Sequence, residues 1–128
     1  MTHTDQRILL VDDEATIRVT WEVVLQRSGY RVATAANGEE AMAWLLRKPF
    51  DLVLLDMQLP GVSGREVLRQ ATEWQPETPV MILTGSVDGD DRAAPLPHGV
   101  ACMPKTASPQ EVLAGVRAAL IQQRAIGQ

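Results

Sequence analysis

The chain has 128 residues, of which 45% are hydrophobic and 22% charged, with a formal net charge of −4. These values are typical of a single folded domain and exclude a largely disordered chain. Lysine and arginine do not cluster, and no apolar run approaches the ~20 residues of a membrane span, so neither a direct nucleic-acid surface nor a membrane segment is expected. No signal peptide is recognisable, and the single cysteine, Cys102, fits a reducing compartment, so we expect a cytoplasmic protein. Residues 1–6 are expected to form a flexible tail.

The N-terminal half of the chain predicts two strand–helix pairs. Residues 7–13 form a short apolar run that ends in two acids, which indicates a buried strand, and residues 14–29 carry apolar side chains at helical spacing. Residues 30–36 predict a second strand, and residues 37–48 predict a second helix that Pro49 ends. The side chains expected to face the core from these helices are Ile17, Trp21, Val24, Leu25, Met42, Leu45 and Leu46.

The middle of the chain predicts two further strands around a helix. Residues 50–56, "FDLVLLD", form a continuous apolar run, which indicates burial on both faces as in a parallel sheet. Residues 63–75 predict a third helix, because Ser63 and Glu66 have the spacing of a capping box. Residues 79–85 predict a fourth buried strand.

The C-terminal part departs from this regular alternation. A fourth helix is expected within residues 86–99, but Pro95 and Pro97 would break it, so we expect a short helical turn followed by irregular chain. Residues 100–105 predict a short fifth strand, and residues 108–123 predict the last helix. The residues expected to cap that helix or face the core from it are Ser108, Pro109, Glu111, Val112, Val116 and Leu120.

The alternation of strands and helices favours an α/β fold, in which helices cover both faces of a parallel sheet. Ligands bind such open sheets beyond the carboxyl ends of the strands. The polar residues predicted at that edge are Asp12, Asp13, Asp56, Thr84 and Lys105. Three neighbouring carboxylates require a cation, and oxygen ligands suit Mg²⁺. The added lysine and hydroxyl resemble a clamp for a phosphoryl group, with Asp56 as either a metal ligand or the nucleophile.

Each of these residues also has a simpler interpretation. Asp12 or Asp13 could cap the first helix, and Asp56 could be a turn residue. Thr84 could merely end a strand, and Lys105 could be a solvated surface residue. Their joint placement at one sheet edge favours the functional interpretation. The three tryptophans lie within helical patterns and are interpreted as packing residues: Trp21, Trp44 and Trp74.

The motifs of the chain resemble those of the receiver domains of two-component response regulators. The segments "ILLVDDE", "DLVLLDMQLPGVSG" and "PVMILTG", and the lysine of "MPKTASPQEV", occur in the order of that family and near its spacing. The resemblance covers essentially the whole chain and implies one receiver domain over residues 1–128. It also implies a flavodoxin-like, doubly wound sheet of five parallel strands in the order 2-1-3-4-5.

The resemblance also implies a role for each site residue. Asp56 would accept a phosphoryl group from a phosphohistidine on a sensor histidine kinase or a histidine phosphotransfer protein. Asp13, Asp56 and the backbone carbonyl of Gln58 would bind Mg²⁺ directly, and Asp12 would act through water. Thr84 would donate a hydrogen bond to the phosphoryl group, and Lys105 would form an ion pair with its charge. The small residue Gly85 would leave the phosphoryl group accessible. Such a domain catalyses only its own phosphorylation and dephosphorylation and is not otherwise an enzyme.

The chain departs from the family pattern in three places. Thr106 replaces a proline common after the family's lysine, as in the LuxR-type branch, and Cys102 occupies the position of the switch aromatic residue. The interval from Thr84 to Lys105 is about one residue shorter than in typical members. We therefore expect residues 86–99 to be mobile and to carry the phosphorylation signal in place of a swinging ring.

Two other functions are compatible with parts of this pattern. A pseudo-receiver would bind a partner without phosphorylation, which Cys102 and the altered fourth helix favour and the complete set of acids disfavours. A Mg²⁺-dependent phosphatase of the haloacid dehalogenase type would need a second aspartate two residues after the first, where this chain has Gln58.

Overall fold

A computed structural model describes residues 5–84 and 100–126 of the chain. Its strands are β1 (Arg7–Val11), β2 (Arg31–Ala35), β3 (Leu52–Asp56), β4 (Val80–Thr84) and β5 (Ala101–Pro104). Its helices are α1 (Ala15–Arg27), α2 (Gly38–Arg47), α3 (Gly64–Trp74) and α4 (Pro109–Ile126). The predictions for residues 86–99 and for residues 1–4 of the tail lie outside the described residues. Within that tail, the carbonyl of Gln6 accepts a hydrogen bond from the backbone N–H of Arg31 at 3.0 Å.

The five strands form one parallel sheet in the order β2-β1-β3-β4-β5, which confirms the predicted doubly wound, flavodoxin-like fold. The register aligns the carboxyl ends of the central strands. Val11 pairs with Leu55, Asp56 with Leu83, and Thr84 with Pro104. The residues that end or directly follow β1, β3 and β5 therefore meet at one edge of the sheet.

Both faces of the sheet are covered, because successive residues of each central strand point to opposite sides. All five residues of β3 are buried; Leu52 and Leu54 belong to one hydrophobic cluster, and Val53 and Leu55 to the other. The first cluster packs against α1 and α4, with Trp21, Leu25, Val112, Val116 and Leu120. The second packs against α2 and α3, with Ala41, Leu45, Val67, Leu68 and Ala71. The continuous apolar run predicted from sequence is thus explained by burial on two faces.

Side chains accept from backbone N–H groups at the start of three helices, and for two of these, α3 and α4, the sequence predicts such caps. In α4, the hydroxyl of Ser108 accepts from the N–H of Glu111 at 3.2 Å, and the Glu111 carboxylate accepts from the N–H of Ser108 at 3.0 Å. This pair of bonds confirms the capping box, and the bonds from Ser108 lower the pKa of Glu111. Ser63 caps α3 and Asn37 caps α2 by the same type of bond.

Two predicted packing residues prove to be exposed. Leu46 is 68% exposed, because it lies about 100° around α2 from the buried Leu45 and so leaves the core-facing stripe. Trp74 is 38% exposed at the last position of α3, whereas Trp21 is buried and Trp44 is half-buried. Among the described residues, no helix is both long and apolar enough to span a bilayer.

Candidate phosphoryl-acceptor site

Asp56 is the last residue of β3, and its side chain is buried at the sheet edge. One carboxylate oxygen, Oδ1, accepts from the backbone N–H of Gln58 at 3.0 Å. The other, Oδ2, accepts from Nζ of Lys105 at 2.9 Å. The turn interpretation of Asp56 is therefore correct for one oxygen, while the second oxygen takes part in a long-range ion pair.

The chain after Asp56 folds back closely on itself. A Cβ atom placed on Gly64 would lie 2.5 Å from Cα of Met57 and 2.9 Å from the carbonyl oxygen of Asp56. Only glycine fits such an approach, so the start of α3 can lie directly against the backbone of Asp56. Gly61 has a positive φ of 71°, which lets the intervening loop reverse direction.

Asp12 follows β1 and is also buried, with 1% of its surface exposed. Its Oδ1 accepts from the N–H of Glu14 at 2.9 Å, and its own N–H donates to the carbonyl of Ala35 at 3.1 Å. The N-cap of α1 is Glu14, which makes no side-chain capping bond, so the interpretation of Asp12 or Asp13 as the helix cap is wrong. Asp13 is exposed beside it.

Lys105 directly follows β5, and its side chain is 21% exposed, which excludes a fully solvated surface lysine. Besides its 2.9 Å contact with Asp56, its Nζ lies 3.7 Å from Oδ2 of Asp12. One ammonium group thus faces two buried carboxylates. This arrangement leaves negative charge in excess at the sheet edge.

The excess charge and the burial shift the pKa values of all three groups. Burial raises the pKa of Asp56 and of Asp12 above the ordinary aspartate value, although hydrogen bonds and Lys105 act in the opposite direction. For Lys105, burial alone would lower the pKa, but the hydrogen bond and charge of Asp56, together with Asp12 and Glu14, outweigh it and raise the pKa. A raised lysine pKa is compatible with raised aspartate pKa values, because two carboxylates share one ammonium group. The lysine is stabilised by both carboxylates, whereas each carboxylate is only partly stabilised by the lysine.

The acids present fit a divalent cation. One carboxylate oxygen from each of Asp12, Asp13 and Asp56 lies within 4.8 Å of the others. Two oxygen ligands on opposite sides of one Mg²⁺ lie about 4.1 Å apart, so only small side-chain adjustments separate this cluster from a ligand set. All the donors are hard oxygens, which suit Mg²⁺ or Mn²⁺. The structure thus brings together the three predicted acids and Lys105.

The remaining predicted positions are described only in part. Thr84 ends β4 opposite Pro104, and the description stops at its backbone; Gly85 lies outside the described residues. Gln58 lies two residues beyond Asp56 with its N–H bonded to that side chain, and its carbonyl as a metal ligand stays a prediction. Cys102 lies on β5, the edge strand of the sheet, and is exposed, while its role as the switch position stays a prediction.

Two neighbours of the site were not predicted from the sequence. The guanidinium group of Arg18, in α1, donates from Nη1 to the backbone carbonyl of Asp12 at 2.8 Å. Glu14 is close enough for its charge to raise the pKa of Asp12. The six-residue separation of Arg18 and Asp12 matches no simple helical contact, so only the three-dimensional path of the loop reveals it.

Comparisons with known proteins agree with this geometry. The sequence matches the model of the response regulator receiver domain family over residues 8–117. It is 39% identical to the transcriptional regulatory protein ResD of Bacillus subtilis over 117 residues, which cover 91% of this chain and 48% of that protein. The chain therefore spans about half the length of the curated relatives it matches.

Solved structures show the same fold. A CheY-like receiver domain protein from Methanospirillum hungatei superposes with a TM-score of 0.90 at 29% identity, covering 95% of this chain and 98% of that one. The response regulator TrrA from Thermotoga maritima, solved in complex with Mg²⁺ and BeF, gives a TM-score of 0.76 at 33% identity, covering 89% and 98%. The chain belongs to the response regulator receiver domain family of two-component signalling.

Proposed function

We propose that this domain accepts a phosphoryl group on Asp56, from a phosphohistidine of a sensor histidine kinase or a histidine phosphotransfer protein, with Mg²⁺ as its metal. The observation that carries this proposal is the buried Asp56 carboxylate, which lies 2.9 Å from Lys105 and within the three-acid cluster. The TrrA complex with Mg²⁺ and BeF supports the same chemistry in a relative of known structure.

Each residue of the site can have a separate role in this phosphoryl transfer. An ionised oxygen of Asp56 attacks the phosphorus atom, the P–N bond of the donor breaks, and its electron pair returns to the imidazole nitrogen. Lys105 compensates the negative charge of the transferred group, and the N–H of Gln58 holds one carboxylate oxygen in place. A bound Mg²⁺ would neutralise the acids and the phosphoryl oxygens, held by Asp13 and Asp56 with the Gln58 carbonyl, and by Asp12 through water.

The alternatives are less well supported by the described residues. A pseudo-receiver needs no acidic cluster, yet this chain buries two aspartates beside one lysine, and burial of a carboxylate is unfavourable unless its charge is compensated. A phosphatase of the haloacid dehalogenase type lacks its acid, since Gln58 stands in that position. We therefore propose that the chemistry is limited to phosphorylation and dephosphorylation of Asp56. The cytoplasmic location and the partner kinase stay predictions.

Phosphotransfer from acetyl phosphate, followed by intact mass, tests this proposal. The wild-type protein should gain one phosphoryl group in the presence of Mg²⁺ and much less after chelation. Asp56→Asn should abolish the gain, whereas Asp5→Asn, at an exposed aspartate outside the site, should leave it unchanged. Phosphorylation of the Asp56→Asn variant at the wild-type rate would show that the acceptor is another residue.

A further inference from the structure

Arg18 forms a hydrogen bond with the loop after β1, which carries Asp12 and Asp13. Its Nη1 donates to the carbonyl oxygen of Asp12 at 2.8 Å, while the backbone N–H of Arg18 donates to the carbonyl of Glu14 at 2.9 Å. The side chain is half-buried, so this bond is partly protected from water. The carbonyl of Asp12 belongs to the peptide group that joins Asp12 to Asp13. The guanidinium group therefore fixes the orientation of that peptide plane.

Of the three acids, Asp13 is the one whose carboxylate is least fixed by burial and hydrogen bonds. Both other acids are buried and hydrogen-bonded: Asp12 to Glu14, and Asp56 to Gln58 and Lys105. Asp13 is exposed, and within residues 5–84 and 100–126 its carboxylate has no hydrogen bond or ion pair. The direction of its side chain therefore depends on the backbone at Asp13. That backbone begins with the peptide group that Arg18 holds.

We propose that Arg18 is a positioning residue of the metal site, which acts by holding the peptide group between Asp12 and Asp13 so that the Asp13 carboxylate points into the acidic cluster. This proposal rests on the proposed function, because it assigns to Arg18 the preorganisation of the Mg²⁺ site. Arg18 does not touch the metal or the phosphoryl group. Its contribution is to remove the freedom that an exposed ligand would otherwise lose on binding.

The charge of Arg18 gives this proposal a sharp test, because charge and position predict opposite results. A cation beside an acidic cluster repels Mg²⁺, so Coulomb's law alone predicts that removing Arg18 tightens metal binding. Loss of a positioning contact predicts weaker binding instead. Residues that orient metal ligands commonly change affinity by about 10–100-fold, which exceeds a screened surface charge effect.

The experiment measures Mn²⁺ binding, from the electron paramagnetic resonance signal of the free ion, with competition by Mg²⁺. Arg18→Met, which removes both the donor and the charge, should raise the Kd for Mn²⁺ about tenfold. Arg18→Lys, which keeps a donor, should restore much of the affinity. Arg27→Met is the matched control, because Arg27 lies on the last turn of the same helix without a hydrogen bond or ion pair to any described residue. Circular dichroism melts establish that each variant is folded.

A double-mutant cycle tests the route through Asp13. In an Asp13→Ala background, Arg18→Met should have little further effect, because the side chain that Arg18 positions is already gone. An unchanged or lower Kd in Arg18→Met, or an undiminished effect in the Asp13→Ala background, overturns the positioning role. The proposed function is tested separately, since Asp56→Asn would still abolish phosphorylation if only the role of Arg18 were wrong. If the wild-type protein takes up neither Mn²⁺ nor phosphate, the proposed function itself fails.

Discussion

The ammonium group of Lys105 lies 2.9 Å from Oδ2 of Asp56, although 49 residues separate the two in the sequence. The parallel register of β3, β4 and β5 creates this contact, because Asp56 ends one strand and Lys105 directly follows another. With Asp12 also buried 3.7 Å from the same ammonium group, the domain maintains a cluster whose charges are not balanced without a further cation. A cation that binds at this site would therefore also stabilise the folded protein.

Replacement of Lys105 by methionine should destabilise the protein. The two buried carboxylates would lose their cation, and loss of a hydrogen bond to a charged group costs about 2 kcal/mol. Urea unfolding at pH 7 without Mg²⁺ should show this loss, and added Mg²⁺ should reduce it. Lys48→Met is a matched control, since Lys48 is exposed beside the ring of Trp44 and should change stability by less than about 0.5 kcal/mol. Equal effects of the two substitutions would argue against a buried pair.

The difference in stability between the wild-type protein and Lys105→Met should decrease as the pH rises into the alkaline range. The pKa of Lys105 is raised in the folded protein, so its stabilising contribution is fully present below the ordinary lysine value of 10.5. The contribution is lost as the pH rises through the folded-state value. From neutral pH upwards, wild type and Lys105→Met should therefore converge in stability only in strongly alkaline solution. Convergence near neutral pH would indicate that the ammonium group is already deprotonated there.

Replacement of Asp12 by asparagine should have the opposite effect and stabilise the protein without metal. Burial raises the pKa of Asp12, so the ionised form is disfavoured in the folded state. This penalty is absent below the unfolded-state value of 3.8 and reaches its full size only above the raised folded-state value. The amide oxygen that Asp12→Asn introduces can still accept from the N–H of Glu14. Thermal melts should therefore show a higher Tm for Asp12→Asn at pH 7 and a smaller difference near pH 3.5.

Added Mg²⁺ distinguishes the removal of a buried charge in Asp12→Asn from a general gain in stability. The metal should raise the Tm of the wild-type protein more than that of Asp12→Asn, because it neutralises a charge that the variant lacks. A variant that is less stable than wild type at pH 7 without Mg²⁺ would show that Lys105 already compensates both carboxylates. The acids would then be retained without a cost in stability.

The fold and most of the site could be predicted because they depend on local patterns. Apolar runs identified the central strands, and β-branched and aromatic residues identified β2. The alternation of strands with helices required the carboxyl ends of the strands to meet, which placed Asp12, Asp56 and Lys105 together. Contacts of side chains with distant backbone could not be predicted in this way. The bond from Arg18 to Asp12 and the contacts of Gln75 depend on the exact paths of loops. The exposure of Leu46 depends on how far α2 rotates on the sheet.

Gln75 connects three segments that the sequence gives no reason to join. Its Nε2 donates to the carbonyls of Leu45 at 2.8 Å and Lys48 at 2.7 Å, while its Oε1 accepts from the N–H of Phe50 at 2.9 Å. The hydroxyl of Thr78 bonds to the same Oε1 at 3.1 Å. Both N–H donors of the amide are thus used, and its oxygen accepts from Phe50. The single hydroxyl hydrogen of Thr78 is shared between Oε1 and the carbonyl of Phe50, which lies closer at 2.7 Å. This one side chain links the end of α2 and the entry to β3 with the turn before β4.

Gln75→Ala should therefore lower the free energy of unfolding by about 3 kcal/mol, because the partly buried carbonyl of Leu45 and N–H of Phe50 lose their partner together with the exposed carbonyl of Lys48. Urea titration with a constant m-value would establish that the loss is one of stability. Gln26→Ala is the control, since Gln26 is exposed near the end of α1. The effect on Mn²⁺ affinity should be small, as this linkage lies at the opposite end of the strands from the acids. A loss below about 0.5 kcal/mol would mean that water replaces the amide at little cost.

Two of the helical glycines, Gly38 and Gly115, should respond in opposite directions to alanine. A Cβ atom on Gly38 would lie 2.7 Å from the carbonyl oxygen and 2.8 Å from Cβ of Val62, so the backbone of the loop after β3 would have to move. A Cβ atom on Gly115 would lie 2.9 Å from Cε of Met81 and 3.1 Å from Cε of Met103, and these flexible ends can shift.

Gly38→Ala should accordingly destabilise the domain by about 1–3 kcal/mol, as overpacking against backbone does. Gly115→Ala should be neutral or stabilising by up to about 1 kcal/mol, because alanine favours the helix that glycine weakens. Urea unfolding of both variants at pH 7 measures the difference. Because the loop that contacts Gly38 also contains Gln58, Gly38→Ala should weaken Mn²⁺ binding as well, whereas Gly115→Ala should not. Stabilisation by Gly38→Ala would show that Val62 can yield, and that α2 does not hold the loop beside Asp56.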